Sequence, residues 1–221
     1  MFQALLFDMD GVIINSQPTY YEVEKQMFKD LGVVISEEEH HALWGMSSYG
    51  FWEHVRNIFG LSQTVDELRE WSREQYQKYF DEHEFPQLVP GFLDFVSQVH
   101  GKLELAIASS ASPHTIQKVV DTFGLKKYFH STTSAHEVSF GKPHPDVFLR
   151  AAEKVGVKPK DCVVIEDTAN GVLAAKTGDM ACIGFQNPGS GRQDLSKADR
   201  VVRGYGEISV SFLQNLYEQI V

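Results

Sequence analysis

Short uninterrupted apolar blocks alternate with longer amphipathic stretches along most of this chain. Blocks without polar interruption read as strands covered on both faces, and the stretches between them as the covering helices. The pattern predicts an α/β fold, a Rossmann-like core with a mostly parallel sheet. The strand-like blocks are 2–7, 103–108, 129–133, 162–165, 180–185 and, more weakly, 200–202. Helical punctuation lies between them. Ser112 can cap a helix, Pro113 suits its first turn, Ile116, Val119, Val120 and Phe123 form one stripe, and Gly124 ends it. Segment 145–156 repeats that plan with Val147, Phe148, Ala151, Ala152 and Val155. The last helix presents Ile208, Phe212, Leu213, Leu216 and Ile220.

One stretch breaks the alternation. Between about 15 and 85 only helical periodicity is found, with Met27, Phe28 and Leu31 on one segment, Phe51, Trp52, Val55 and Phe59 on a second, and Leu68, Trp71 and Tyr76 within a third. An ordinary crossover helix is far shorter than this. The expected organisation is a core of residues 1–14 and 88–221 with an inserted helical domain over 15–87. Its hinges are expected at 15–18 and 84–91, both of which contain proline.

Charge and cysteine content narrow the partners. With 20 basic against 30 acidic residues the formal charge is -10, which disfavours nucleic acid and anionic membrane as ligands. An anionic ligand must then be captured by local groups. Only Cys162 and Cys182 occur, both inside strand-like blocks, so they are expected as buried thiols of a reducing compartment. The first apolar run is too short for a signal peptide and carries two aspartates, and no run reaches the roughly 20 apolar residues that span a bilayer. The expectation is a soluble, cytoplasmic protein acting as a monomer. His40 and His41 read as solvated, and Gly189-Ser190-Gly191 as a plain loop.

The chemistry gathers at strand ends. The first strand ends in Asp8-Met9-Asp10-Gly11, and residues two apart on a strand point the same way, so Asp8 and Asp10 share a side. Such a pair is either a turn with an aspartate cap or two carboxylates around a cation, since crowded carboxylates repel otherwise. The block at 162–165 ends in Glu166-Asp167, which reads either as an acidic helix start or as further oxygen ligands. Ligands of open parallel sheets bind at the carboxyl ends of strands, so these four acids converge if their strands are neighbours. Hard oxygen donors of this kind suit Mg²⁺. Ser109 and Ser110 follow the block at 103–108 as hydroxyl donors, and Lys142 follows the one at 129–133, set between Gly141 and Pro143. A phosphoryl group is the ligand that uses all four pieces.

In this order, Asp8-x-Asp10-Gly-Val, Ser109, Gly141-Lys142-Pro-x-Pro-Asp146 and Glu166-Asp167-x-x-x-Gly171 resemble the haloacid dehalogenase-like superfamily. The resemblance is to the branch with β-phosphoglucomutases and small sugar phosphatases, and it covers nearly the whole chain. Asn187-Pro188, Gln193-Asp194-Leu195 and Ala198-Asp199 also look like this branch, and the helical insertion falls where the family has its cap.

The resemblance implies a Mg²⁺-dependent phosphatase for a small phosphorylated metabolite, with a phosphosugar mutase as the alternative. By similarity Asp8 is the nucleophile and Asp10 the general acid and base. Mg²⁺ is held by Asp8, the backbone carbonyl of Asp10 and Asp167, with Glu166 helping, while Ser109 and Lys142 bind the phosphate oxygens. Asp10 argues against the haloacid dehalogenases themselves, which resemble this fold but lack that acid. Tyr20 stands where β-phosphoglucomutases carry histidine, and Gly45-Met46-Ser47-Ser48 where a cap arginine would grip a second phosphate, so both weaken the mutase. Gln17, in a flap reading Asn15-Ser16-Gln17-Pro18, together with Tyr20, Trp44 and Ser110, is expected to contact substrate.

Overall fold

The computed structural model describes residues 1–44, 46–83, 86–191 and 193–220. The chain divides into two units, Met1–Asn15 with Gln87–Val221, and Ser16–Pro86. Gly45, in the stretch that stands where a cap arginine would grip a second phosphate, and Glu84 and Phe85 of the expected second hinge lie outside the described residues.

The unit Ser16–Pro86 contains helices α1 (Gln17–Asp30), α2 (Glu37–Ala42), α3 (Ser48–Phe59) and α4 (Val65–Glu82). Two of them begin with reciprocal caps: Ser36 with Glu39 on α2, and Thr64 with Glu67 on α4. Each pair satisfies backbone N–H groups that the first turn leaves without partners. The apolar stripes then close on one another, with Val23, Met27, Phe28, Phe51, Trp52, Val55 and Leu68 forming a core of their own. Trp52 Nε1 donates to Ser72 Oγ at 3.0 Å, so the buried indole keeps a partner. Pro18 falls in the first turn of α1, where an early helical position needs no N–H.

His40 also departs from expectation. It is 1% exposed on the inner face of α2, stacked on Tyr21, with Nε2 2.5 Å from Glu24 Oε2. Its neighbour His41 faces out, since adjacent helical residues point about 100° apart. Tyr76 donates to the other Glu24 oxygen at 2.8 Å, so that carboxylate is bonded at both oxygens.

The remaining unit holds one sheet. Its strands are β1 (Ala4–Phe7), β2 (Glu104–Ser109), β3 (Ser131–Ser134), β4 (Cys162–Glu166), β5 (Ala181–Phe185) and β6 (Arg200–Val202). Their order is β3-β2-β1-β4-β5-β6, and all pairings are parallel. Helices α5 (Phe92–Val99), α6 (Pro113–Thr122), α7 (Asp146–Lys154), α8 (Ala169–Thr177) and α9 (Val210–Ile220) complete it. The sheet is Rossmann-like, and β1 is central, with β2 and β4 on either side.

The alternation along β1 sorts its side chains. Ala4 and Leu6 join Val147, Phe148, Ala151 and Val172 on the face covered by α7 and α8. Phe7 points the other way, its ring edge-on to Phe92 and Phe129 at 6.0 and 5.5 Å. Continuing the parity, Asp8 emerges on the α7 side. In α9 the expected stripe is incomplete: Leu213 and Leu216 are buried, Ile208 precedes the helix, and Ile220 in its last turn is 42% exposed. Both cysteines are free and buried, and burial pushes the Cys162 thiol up to about 12. No helix among the described residues is long and apolar enough to cross a membrane.

Candidate active site

Parallel pairing brings the carboxyl ends of β1 and β4 side by side, with Phe7 in register with Ile165 and Asp8 N–H donating to the Ile165 carbonyl at 3.0 Å. Asp8 leaves β1 at the point where Glu166 and Asp167 leave β4. These three buried residues offer carboxylate oxygens that all lie within 4.8 Å of one another. Lys142, whose side chain is 6% exposed, completes the cluster from the loop after β3. Its ammonium donates to Asp8 Oδ1 at 2.5 Å and to Glu166 Oε2 at 2.9 Å, and lies 4.7 Å from the centroid of the Phe148 ring.

Two glycines make this density possible. Gly11 has φ 76°, and a Cβ there would meet Asp167 Oδ2 at 1.9 Å. A Cβ on Gly171 would meet Glu166 Cδ at 2.0 Å. The glycine of the Glu166-Asp167-x-x-x-Gly171 pattern is therefore a space requirement of the acid five residues earlier. Thr168 caps α8 by accepting from Gly171 N–H at 3.1 Å, while its own N–H and hydroxyl donate to Glu166 Oε1 at 3.1 and 2.5 Å.

Among the described residues of this cluster three carboxylates face one ammonium, and the charge imbalance shows in their acidities. Burial, and then the charge of Glu166, push the Asp8 carboxyl up to about 8, against the pull of Lys142, and the nearby Asp10 adds to the rise. Asp167 is likewise held well above the usual range by burial and by Glu166 and Asp8. Burial works against the Lys142 ammonium, but Asp8 and Glu166 outweigh it and raise its pKa.

A model of the haloacid dehalogenase-like hydrolase family matches residues 2–179. The chain belongs to the haloacid dehalogenase-like hydrolases. It is 31% identical over 195 residues to hexitol phosphatase B of Escherichia coli K12, covering 81% of this chain and 82% of the relative. With β-phosphoglucomutase of Bacillus subtilis it shares 27% over 223 residues, covering 98% and 96%. The fold superposes on the crystal structure of β-phosphoglucomutase from Clostridium difficile with a TM-score of 0.80 at 24% identity, over 99% of this chain and 98% of the other.

The family implies a divalent metal, and the donors present suit one. Carboxylate oxygens are hard ligands, and Asp167 Oδ1 is buried with no hydrogen-bond partner among the described residues. A cation among Asp8, Glu166 and Asp167 would relieve the repulsion that raises Asp8 and Asp167.

The other expected site residues are placed as follows. Asp10 is half-buried in the turn after β1, and its carboxylate is not one of the three clustered ones. Ser109 is fully buried at the end of β2 and its Oγ accepts from Ala111 N–H at 3.0 Å, which leaves its hydroxyl proton to donate; Ser110 is exposed. Gln17, Tyr20 and Trp44 belong to the helical unit, where Tyr20 packs edge-on against Tyr76 and Phe80, and Trp44 against His41 and Tyr21. The residue that the sequence pattern hid is Ser190, which is no plain loop residue but is buried and donates to Asp167 Oδ2. A small hydroxyl in the loop after β5, at the carboxyl edge of the sheet, was its only trace.

Proposed function

We propose that the protein is a Mg²⁺-dependent phosphomonoesterase acting on a small phosphorylated metabolite through an aspartyl-phosphate. The observation that carries this is the meeting of Asp8, Glu166, Asp167 and Lys142 in one buried cluster at the sheet's carboxyl edge. Asp8 would attack phosphorus: one carboxylate oxygen forms the new P–O bond as the ester P–O bond breaks. Asp10 would give a proton to the departing alkoxide, then accept one from the water that attacks the aspartyl-phosphate and frees Asp8 and inorganic phosphate.

An anionic nucleophile approaching a phosphate dianion needs positive charge alongside. Lys142, already bonded to Asp8, would supply part of it and contact the phosphate, and the buried Ser109 hydroxyl would donate to another oxygen. Mg²⁺, held by Asp8, the Asp10 carbonyl and Asp167 with Glu166 nearby, would supply the remaining charge stabilisation. Ser110, Gln17, Tyr20 and Trp44 would read the leaving group, the last three from the helical unit acting as a cap.

Relatives named as hexitol phosphatase and β-phosphoglucomutase both support a phosphorylated sugar as substrate. The resemblance favours hydrolysis over the mutase alternative because Tyr20 replaces the mutase histidine. The acidic charge and free cysteines support a monomer acting on a soluble substrate in the cytoplasm, apart from nucleic acid and membrane.

Asp8→Asn is expected to abolish hydrolysis of p-nitrophenyl phosphate while the circular dichroism spectrum stays native. Mg²⁺-dependent turnover in that variant would refute Asp8 as nucleophile. With a hexose 1-phosphate, phosphate release is expected to outpace isomerisation, and the opposite ranking would establish the mutase.

A further inference from the structure

We infer that Ser190 is a positioning residue for the metal site, holding one oxygen of Asp167 so that the other is presented to the cation. This rests on the metal reading above. Ser190 is 1% exposed, and its hydroxyl donates to Asp167 Oδ2. The second oxygen, Oδ1, is buried and has no hydrogen-bond partner among the described residues. A carboxylate bonded at one oxygen only has its plane fixed and its other oxygen available, which is how an outer partner orients a metal ligand.

The loop that carries Ser190 is tied to both strand ends of the site. Asn187 Nδ2 donates to the Gly11 carbonyl at 2.8 Å, in the turn after β1. The Asn187 Oδ1 accepts from Gly189 N–H at 2.8 Å, and its carbonyl accepts from Ser190 N–H at 3.1 Å. Gln193 Nε2 donates to the Ser190 carbonyl at 3.2 Å, while its Oε1 accepts from Ala169 N–H at 3.3 Å, in the first turn of α8. Ser190 is thus located by the two segments that carry Asp8 and Asp167. The packing also limits alternatives: a Cβ on Gly11 would lie 2.7 Å from Ser190 Oγ as well as against Asp167. Without the hydroxyl, Oδ2 would be left buried and unpartnered, and the carboxylate would lose the contact that sets its plane.

Calorimetric titration with Mg²⁺ tests this on wild type, Ser190→Ala, Ser190→Thr and Asp167→Asn, alongside metal-free thermal midpoints. Ser190→Ala is expected to weaken Mg²⁺ binding about 10- to 100-fold, and its metal-free midpoint should fall by a few degrees because Oδ2 loses its partner. Ser190→Thr, which restores the hydroxyl, is expected to bind within about threefold of wild type. Saturating Mg²⁺ should recover most of the kcat of Ser190→Ala on p-nitrophenyl phosphate, because the reacting groups themselves are intact. Should the alanine variant not fold, Ser190→Cys, with similar size and a weaker donor, is expected to fall between wild type and Asp167→Asn. Wild-type affinity in Ser190→Ala or Ser190→Cys, with binding lost in Asp167→Asn, would overturn the role of Ser190 and leave the metal reading intact. Absence of Mg²⁺ binding by wild type would overturn the metal reading itself and this inference with it.

Discussion

Asp8 concentrates the conflict of charges in the α/β unit. Its pKa stands at about 8 against an ordinary 3.8, because burial and Glu166 outweigh Lys142. Between those values the folded chain keeps a proton that the unfolded chain has lost, so stability falls as pH rises across the window. For one group the slope reaches about 1.4 kcal/mol per pH unit. Lys142 is displaced upward from 10.5, beyond the window. The carboxyls of Glu39, Glu67 and Glu137 are displaced downward from 4.5 and act in the opposite sense, at its acid edge. The thermal midpoint of chelator-treated protein is therefore expected to drop between pH 5 and pH 8. Asp8→Asn should make the drop shallower, with Asp167, which is also raised, supplying the remainder, and Mg²⁺ should recover the midpoint at pH 8. Equal slopes for wild type and Asp8→Asn would show that Asp8 ionises normally.

Local propensity and site geometry compete where β4 passes into α8. In an exposed helix, replacing glycine by alanine stabilises by about 1 kcal/mol. Gly171 is helical, but its position is occupied from the strand side by the Glu166 carboxylate. Gly171→Ala is expected to lower the thermal midpoint and weaken Mg²⁺ binding, since either Glu166 or the first turn of α8 must shift. A stabilised variant with unchanged Mg²⁺ affinity would mean that Glu166 has room to move freely. The same competition explains which helices the sequence revealed. Those with Pro, a cap and a clean stripe, such as α6, were legible; α2, six residues long and holding two histidines, was not, and its His40 turned inward through contacts with Tyr21 and Glu24 that lie far along the chain.

At the scale of the whole molecule, each unit encloses its own apolar core, one around Trp52 and one against β1 and β4. The protein's three tryptophans, Trp44, Trp52 and Trp71, all fall within Ser16–Pro86, so their emission reports on the helical unit alone. Phe148→Ala, in the core of the α/β unit, is expected to cost about 3–5 kcal/mol there. It should speed hydrogen exchange of the β1, β2 and β4 amides while leaving the denaturant midpoint of tryptophan emission in place. A parallel shift of both signals would show that the two units unfold as one.

The sequence by itself determined what depends on neighbours along the chain: six apolar blocks, the caps and stripes of several helices, and the acids, hydroxyls and lysine at strand ends. Order along the chain also carried the family resemblance, because its motifs are short and local. Only the tertiary structure decided that β1 lies between β2 and β4, that Lys142 bonds both Asp8 and Glu166, and that Ser190 reaches Asp167. These facts arise from pairing and packing between residues far apart along the chain, Lys142 and Asp8 being separated by 134 positions, and burial then shifts acidities that composition leaves at their ordinary values.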